Sequence, residues 1–279
     1  MAILCGGTAL RMGSLGGHWA KTLLAAHDTP LLWRLLDQLQ SAGFDRIVAS
    51  TTPRFERQIA EAVQYFQRDR PTQAGSPIHV VANEAYRRGV LVGLAELLDR
   101  LSTPRCLTCL GDIFFLANPF VPFPAEIRRE YDCLGVASFA LKEEMQQGGL
   151  VYHADGKVTG IVERHGPATT GQPVRWSGIA LIDRARAASD LEAFLADAPA
   201  DSPAGDFFEF QRARARDIRC VWGPDFVNVN SSDHLLLASL LARLEKPFAS
   251  DPLRTSLAQC TASLRLHLAN QPRGASQAG

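Results

Sequence analysis

Two cations and one carboxylate stand behind short glycine turns in this chain, and phosphate chemistry is what such a set could do. An apolar strand, Ala2 to Cys5, runs into Gly6-Gly7, followed by Arg11, a glycine-rich segment from Gly13 to Gly17, and Lys21. Glycines let backbone N–H groups approach an anion, and the two cations would neutralise it. A surface loop with ordinary basic residues is the alternative. Asp112 follows an apolar strand and Gly111. Its carboxylate either caps a turn or reaches toward Mg²⁺ on bound phosphates, a cation that takes few protein oxygens. Asn228 and Asn230 lie in Phe226-Val-Asn-Val-Asn-Ser-Ser-Asp233. Asparagine is a poor strand former, so the pair marks a turn before a helix or offers a second oxygen to the metal. Glu163-Arg164 is either an exposed ion pair, or an arginine for phosphate beside a glutamate for sugar hydroxyls. His79, His153 and His165 show no partner pattern. Neither G-x-S-x-G nor H-E-x-x-H occurs, and no Walker lysine follows a second glycine.

Alternating strands and helices must position these groups. Helical leucine spacing is expected over Leu31 to Ala42, ended by Gly43, with further helices at Thr52 to Phe66 and Gly89 to Leu101. Strands are expected at Phe44 to Ser50, Ile78 to Ala82 and Arg105 to Leu110, and a polar loop at Gln67 to Ser76. That alternation predicts a parallel, doubly wound α/β sheet. Its ligand would lie off the carboxyl ends of the strands, where Gly6-Gly7 and Asp112 both fall. Beyond these come a strand from Leu134 to Phe139 and a hairpin from Gly149 to Glu163 turned by Asp155-Gly156. A polar loop from Pro167 to Pro173, a strand from Trp176 to Ile182 and a helix around Leu191 to Leu195 follow. Ile218 to Trp222 reads as a strand, and Ser232-Asp233 as the cap of a helix from Leu235 to Leu244. The last helix is expected at Leu253 to Leu268, with Asn270 to Gly279 disordered. No repeat and no boundary between independent domains is visible. The division is one domain over 1–245, a helical extension over 246–269 and a tail over 270–279.

Composition limits the partners. Twenty-nine basic residues balance 29 acidic ones in 279 residues, which leaves no general footprint for nucleic acid or an anionic membrane. No run is long and apolar enough to span a bilayer, and no signal peptide is visible. Six scattered cysteines, mostly within apolar runs, suit reduced thiols in a cytoplasmic protein. Cys106 and Cys109 have the spacing of half a zinc site, without a matching pair.

In their order the pieces resemble the nucleotidyltransferase superfamily with a Rossmann-like core, spanning sugar-1-phosphate nucleotidylyltransferases and the molybdenum-cofactor guanylyltransferase branch. The phosphate loop resembles Gly6-Gly7-Thr8-Ala9-Leu10-Arg11-Met12-Gly13, and the lysine motif Ala20-Lys21-Thr22-Leu23-Leu24. Thr29-Pro30-Leu31-Leu32, Gly89, Gly111-Asp112, the hairpin from Gly149 to Glu163-Arg164, Ser177-Gly178-Ile179 and Asn228-Val-Asn-Ser-Ser-Asp233 follow in the family's order. The resemblance covers residues 2 to 245. Ala9 stands for a glycine, Leu10 for a Ser or Thr, Ala20 for a proline, Arg164 for a lysine and Asn228 for the commoner aspartate.

The resemblance implies a three-layer, Rossmann-like, mixed and mainly parallel sheet with an inserted hairpin on the acceptor side. The implied reaction is attack by an acceptor phosphate oxygen on the α-phosphorus of a nucleoside triphosphate, releasing pyrophosphate. Arg11 and Lys21 would be catalytic. Leu4, Gly6, Gly7, Gly89 and Gly111 would bind the nucleotide. Gly149, Glu163, Arg164 and Gly178 would meet the acceptor, most simply a sugar 1-phosphate, and Asp112 with Asn228 would hold Mg²⁺. No nucleic acid or membrane partner is implied, and a homo-oligomer is compatible. Two other readings remain: a nucleotide-binding regulatory relative with weakened catalysis, and a glycosyltransferase on a similar fold.

Overall fold

The computed structural model describes residues 1–6, 12, 14–44, 46–69, 77–138, 149–163, 172–199, 202–247 and 251–271. Among them, nine strands form one sheet in the order β5-β4-β1-β6-β11-β8-β12-β10-β9. These are β1 (Ala2–Leu4), β4 (Ile47–Thr51), β5 (Ile78–Ala82), β6 (Arg105–Leu110), β8 (Asp132–Ala137), β9 (Leu150–Ala154), β10 (Lys157–Val162), β11 (Gln172–Asp183) and β12 (Ile218–Trp222). Strands β10 and β11 run against the other seven. Two short ladders lie outside the sheet: β2 (Ala25–Ala26) with β3 (Thr29–Pro30), and β7 (Ile113–Phe115) with β13 (Phe226–Asn228).

Alternation along the strands divides the apolar residues between two faces. Ile3 and Cys5 face one core with Ile47, Ala49, Leu107 and Cys109. That core is covered by α2 (Leu31–Ser41) through Leu32, Leu35, Leu36 and Leu39, and by α3 (Pro53–Asp69) through Phe55, Ile59, Val63 and Phe66. Ala2 and Leu4 face the opposite core with Cys106, Ala180 and Ile182. Leucines of α4 (Val90–Arg100), Ala187 and Leu191 of α6 (Arg184–Asp197), and Phe207 and Phe208 of α7 (Ala204–Ala213) cover it. The three layers are those the resemblance implies. Cys106 and Cys109 fall on opposite faces of β6, so they do not converge on one ion.

Strand order reverses beside β1. The chain passes from β1 to β4 and β5 on one side, then returns through α4 to place β6 on the other. This topology opens a crevice at the carboxyl ends of β1 and β6. Gly111 N–H donates to the Leu4 carbonyl at 2.9 Å across it. The Asp155-Gly156 turn has both residues at positive φ, 49° and 78°, as a two-residue hairpin turn of the primed kind demands. Strand β11 pairs with β6 and β8 and, at its start, with β9. Strands β11, β8, β12, β10 and β9 thereby close into a ring.

Several boundaries differ from expectation. The sequence suggests a turn over His27-Asp28-Thr29-Pro30, but the chain turns at His27-Asp28, with His27 at φ +62°, and Thr29 and Pro30 form β3. Strand β11 begins at Gln172, because its first residues pair with β9, so Gln172 and Pro173 are not loop; 167–171 lie outside the described residues. Helix α8 spans Ser232–Leu244 and is capped by Ser231, whose side chain accepts from His234 N–H, rather than by Ser232-Asp233. Helix α9 spans Asp251–Ala269, and Asn270 and Gln271 still donate to its last carbonyls. Both therefore belong to the helix end and not to a disordered tail. Two short helices, α1 (Ser14–His18) and α5 (Phe123–Glu126), and α7 have no counterpart in the sequence reading.

Candidate active site

At the crevice, Lys21 opens a 3-10 turn, Lys21–Leu23, that buries Lys21 and Thr22. Its ammonium pairs with an Asp112 carboxylate oxygen and donates to Asn230 Oδ1 at 3.0 Å. The lysine side chain is 10% exposed and the aspartate 21%. Asp112 sits in the turn between β6 and β7, and its carbonyl accepts from Val229 N–H at 2.9 Å. The β7–β13 ladder pairs Ile113 with Asn228. That ladder carries both asparagines to the aspartate turn. Asn228 Oδ1 is buried there and has no hydrogen-bond partner among the described residues. The segment is anchored from behind by Asp225, which pairs with Arg175 of β11 at 2.9 Å and with Arg265 of α9.

Gly111 is required by space. A β-carbon there would fall 2.7 Å from Thr22 Cγ2 and 3.0 Å from Cys5 Sγ. Burial pushes the Cys5 thiol up to about 12, with Thr22 countering and the Asp112 charge adding. Burial also raises the Cys109 thiol well above its ordinary value. The floor beneath Asp112 is therefore dry and neutral, and it adds no negative charge against a bound polyanion.

On the other wall, Tyr86 packs between two glycines. β-carbons on Gly6 and Gly93 would each fall 2.3 Å from its ring. Asn83 ties this wall together, donating to the Gly93 carbonyl and accepting from Ala85 N–H, both at 2.9 Å. Gly89 joins the 3-10 turn Glu84–Arg88 to α4 at φ +128°, a conformation that favours glycine. The Leu4 carbonyl, expected near the nucleotide, is taken by Gly111.

A second cluster forms around the hairpin. Glu163 Oε1 accepts from Gly205 N–H at 3.2 Å, in the first turn of α7. A β-carbon on Gly149 would fall 3.0 Å from Glu163 Oε1, and one on Gly205 only 2.1 Å from Glu163 Cγ. Glu209 of α7 accepts from Ile161 N–H at 2.8 Å. Gly178 lies at a bulge of β11 with φ +72°, where a β-carbon would meet Ile113 and Leu110 at 2.9 and 3.0 Å. Those two residues flank Gly111-Asp112, so β11 connects the two clusters.

Thus Lys21, Asp112 and Gly111 come together with Asn230, and Asn228 stands in the adjoining ladder. Gly149 and Glu163 form the second cluster, and Gly178 lies between the two. Gly7, Arg11 and Arg164 lie outside the described residues, as do Ala9 and Leu10. The segment from Asn83 to Gly89 is expected in sequence to offer backbone to a base, but the side-chain roles of Asn83 and Tyr86, and Gly205, are not visible there. The Gly89 neighbourhood was a signal for the first two, and Pro203-Ala-Gly at a helix start was the only signal for the third.

A family model described as "MobA-like NTP transferase domain" matches residues 1–212. No curated protein matches the chain in sequence. Among solved structures, the inositol-1-phosphate CTP transferase from T. maritima superposes with a TM-score of 0.70 at 15% identity, covering 89% of this chain and 97% of that one. UTP-bound UGPase from Acinetobacter baumannii gives 0.71 at 13% identity, covering 94% and 98%. A UDP-glucose pyrophosphorylase complexed with UDP-glucose gives 0.72 at 12% identity, covering 88% and 98%. At these identities the likeness is one of fold.

Proposed function

Since the chain belongs to the MobA-like NTP transferase family, we propose that it transfers a nucleoside monophosphate from an NTP to a sugar 1-phosphate, releasing pyrophosphate. The observation that carries this reading is the Lys21 ammonium bridging Asp112 and Asn230 at the crevice beside β1. The acceptor phosphate is already anionic, so no general base is needed. The protein must align two polyanions and screen their repulsion. Lys21 serves the α-phosphate and the acceptor phosphate, and Arg11 the triphosphate and departing pyrophosphate. Leu4, Gly6, Gly7, Gly89 and Gly111 are assigned to bind the nucleotide. Gly149, Glu163, Arg164 and Gly178 line the acceptor side, where Glu163 takes sugar hydroxyls.

The donor set fits Mg²⁺. Asp112 supplies a carboxylate, Asn228 a buried amide oxygen with no other partner among the described residues, and Asn230 a second amide oxygen now engaged by Lys21. These are hard oxygen donors, and the neighbouring thiols, Cys5 and Cys109, are held neutral. When bound, the cation would neutralise phosphate charge as it develops. Solved proteins of this fold carry UTP or UDP-glucose, which supports a sugar-nucleotide product. Among the described residues no helix is long and apolar enough to cross a membrane; a cytoplasmic site of action belongs to the same proposal. The division into a domain over 1–245, an extension over 246–269 and a tail belongs to the same proposal, as does compatibility with a homo-oligomer.

The test mixes each of the common NTPs with a panel of sugar 1-phosphates and Mg²⁺ and measures pyrophosphate. Release with one pair, and none without acceptor, supports transfer. Measurable NTP binding without release from any pair would favour a regulatory relative.

A further inference from the structure

The segment that delivers Lys21 is held from one side by α3. Gln58, in the second turn of that helix, uses both ends of its side-chain amide. Its Oε1 accepts from Ala20 N–H at 3.1 Å, and its Nε2 donates to the His18 carbonyl at 2.8 Å. Arg54, one turn earlier on the same face, donates to the Gly17 carbonyl. Between the two Gln58 contacts lies Trp19, 53% exposed and so a weak anchor. The Ala20 carbonyl then accepts from Leu23 N–H at 2.8 Å and starts the turn that carries Lys21.

Ala20 adopts φ −61° and ψ 127°, a φ that a proline ring would fix and a ψ in the extended range that proline adopts. Proline is what the resembled motif has at this position. A ring there would fix φ and would offer no N–H. Alanine leaves φ free and presents an N–H, and that N–H is the one Gln58 takes.

We propose that Gln58 is a positioning residue for Lys21, its amide holding Ala20 in the conformation that a proline ring would otherwise impose. The functional part of the proposal rests on the reading of Lys21 as the phosphate-binding cation.

The chain has four lysines, Lys21, Lys142, Lys157 and Lys246, so acylation can be followed residue by residue. The experiment treats the full-length protein with limiting acetic anhydride, reads each lysine by peptide mass, and measures turnover in parallel. In Gln58→Ala, Lys21 is expected to acylate several-fold faster while Lys157 and Lys246 do not change. Turnover falls about tenfold, the scale of a slightly misplaced reacting group. The thermal midpoint stays close to the parent, because alanine suits a helix interior. Adding Ala20→Pro to Gln58→Ala restores both readouts, since the ring occupies space the amide has vacated. Gln58→Glu keeps an acceptor for Ala20 N–H and gives a smaller acylation increase than Gln58→Ala.

Unchanged Lys21 acylation in Gln58→Ala overturns the proposal, and so does equal acylation in the Glu and Ala variants. Failure of a folded Ala20→Pro double variant to restore slow acylation does the same. If acylation follows the expected pattern while Gln58→Ala and Lys21→Ala both keep full turnover, positioning stands and the phosphate role of Lys21 falls.

Discussion

Tyr86 lies where a side chain on residue 6 would have to go: a β-carbon on Gly6 would sit 2.3 Å from Tyr86 Cγ. The glycine that ends β1 is therefore demanded by the protein's own aromatic wall, whatever else it does for a nucleotide. Gly6→Ala is expected to cost about 1–3 kcal/mol through overpacking. Urea unfolding measures this, and the cost should shrink when the same change is made in a Tyr86→Ala background. Equal costs in both backgrounds would show that the ring is not the obstacle.

Lys21→Ala removes the cation shared by Asp112 and Asn230. Turnover should drop more than about tenfold, as for loss of a charge that clamps phosphate. Steady-state pyrophosphate release measures it, and near-parental turnover sinks the role given to Lys21.

Asn228 offers a contrast between stability and activity. Its buried Oδ1 has no partner among the described residues, and an unsatisfied buried acceptor is a cost to the folded state. Asn228→Ala should therefore leave the metal-free protein as stable as before, or about 1 kcal/mol more stable. The Mg²⁺ concentration for half-maximal turnover should rise at the same time. A destabilised variant with unchanged Mg²⁺ dependence would make Asn228 a structural residue only.

Gly205 should matter to the acceptor and not to the nucleotide. A β-carbon there would fall 2.1 Å from Glu163 Cγ, so Gly205→Ala must displace the glutamate that α7 holds. We expect KM for the sugar 1-phosphate to rise about tenfold, on the scale of a lost charge-assisted hydrogen bond, with KM for the NTP unchanged. A rise in the NTP value alone would place Glu163 on the wrong side of the site.

Alkaline pH should destabilise the fold through its thiols. Burial pushes Cys5 and Cys133 up to about 12 and Cys106 to about 11, whereas an unfolded thiol titrates near about 8.5. The raised folded values mean that this stability is fully present below the unfolded pKa and is lost as pH rises toward the folded one. Guanidinium midpoints should therefore fall between pH 8 and pH 10.5. Cys5→Ala should reduce that fall by about 2 kcal/mol. An identical pH dependence in parent and variant would contradict it.

Much of the sheet was legible because its strands are continuous apolar runs with punctuation at their ends. Ile78 to Ala82, Arg105 to Leu110 and Ile218 to Trp222 fall where expected, and Asp155-Gly156 carries its turn in its residue types. Helix α7 escaped because Gly205 and a run of aromatics hide its period. With it went the partner of Glu163. Asn230 could not be ranked against Asn228 because both lie in one extended run. Only the end of the β13 ladder at Asn228 frees the next residues to meet Lys21. Gln58 is an ordinary polar residue on an amphipathic helix. Its one outward sign was the alanine standing where a proline belongs.

Strand β11 has a mechanical consequence. The same strand leaves no room for a side chain at Gly178 against Leu110 and Ile113, and it hydrogen-bonds to the hairpin at its start. The Asp112 cluster and the Glu163 cluster, the proposed donor and acceptor ends, are thus tied to one strand. On the proposed assignment, the spacing between them would sort acceptors by the length from phosphate to sugar hydroxyls. A homologue adapted to a longer or shorter acceptor would have to re-register β11, because reshaping the loops around it would leave that spacing unchanged.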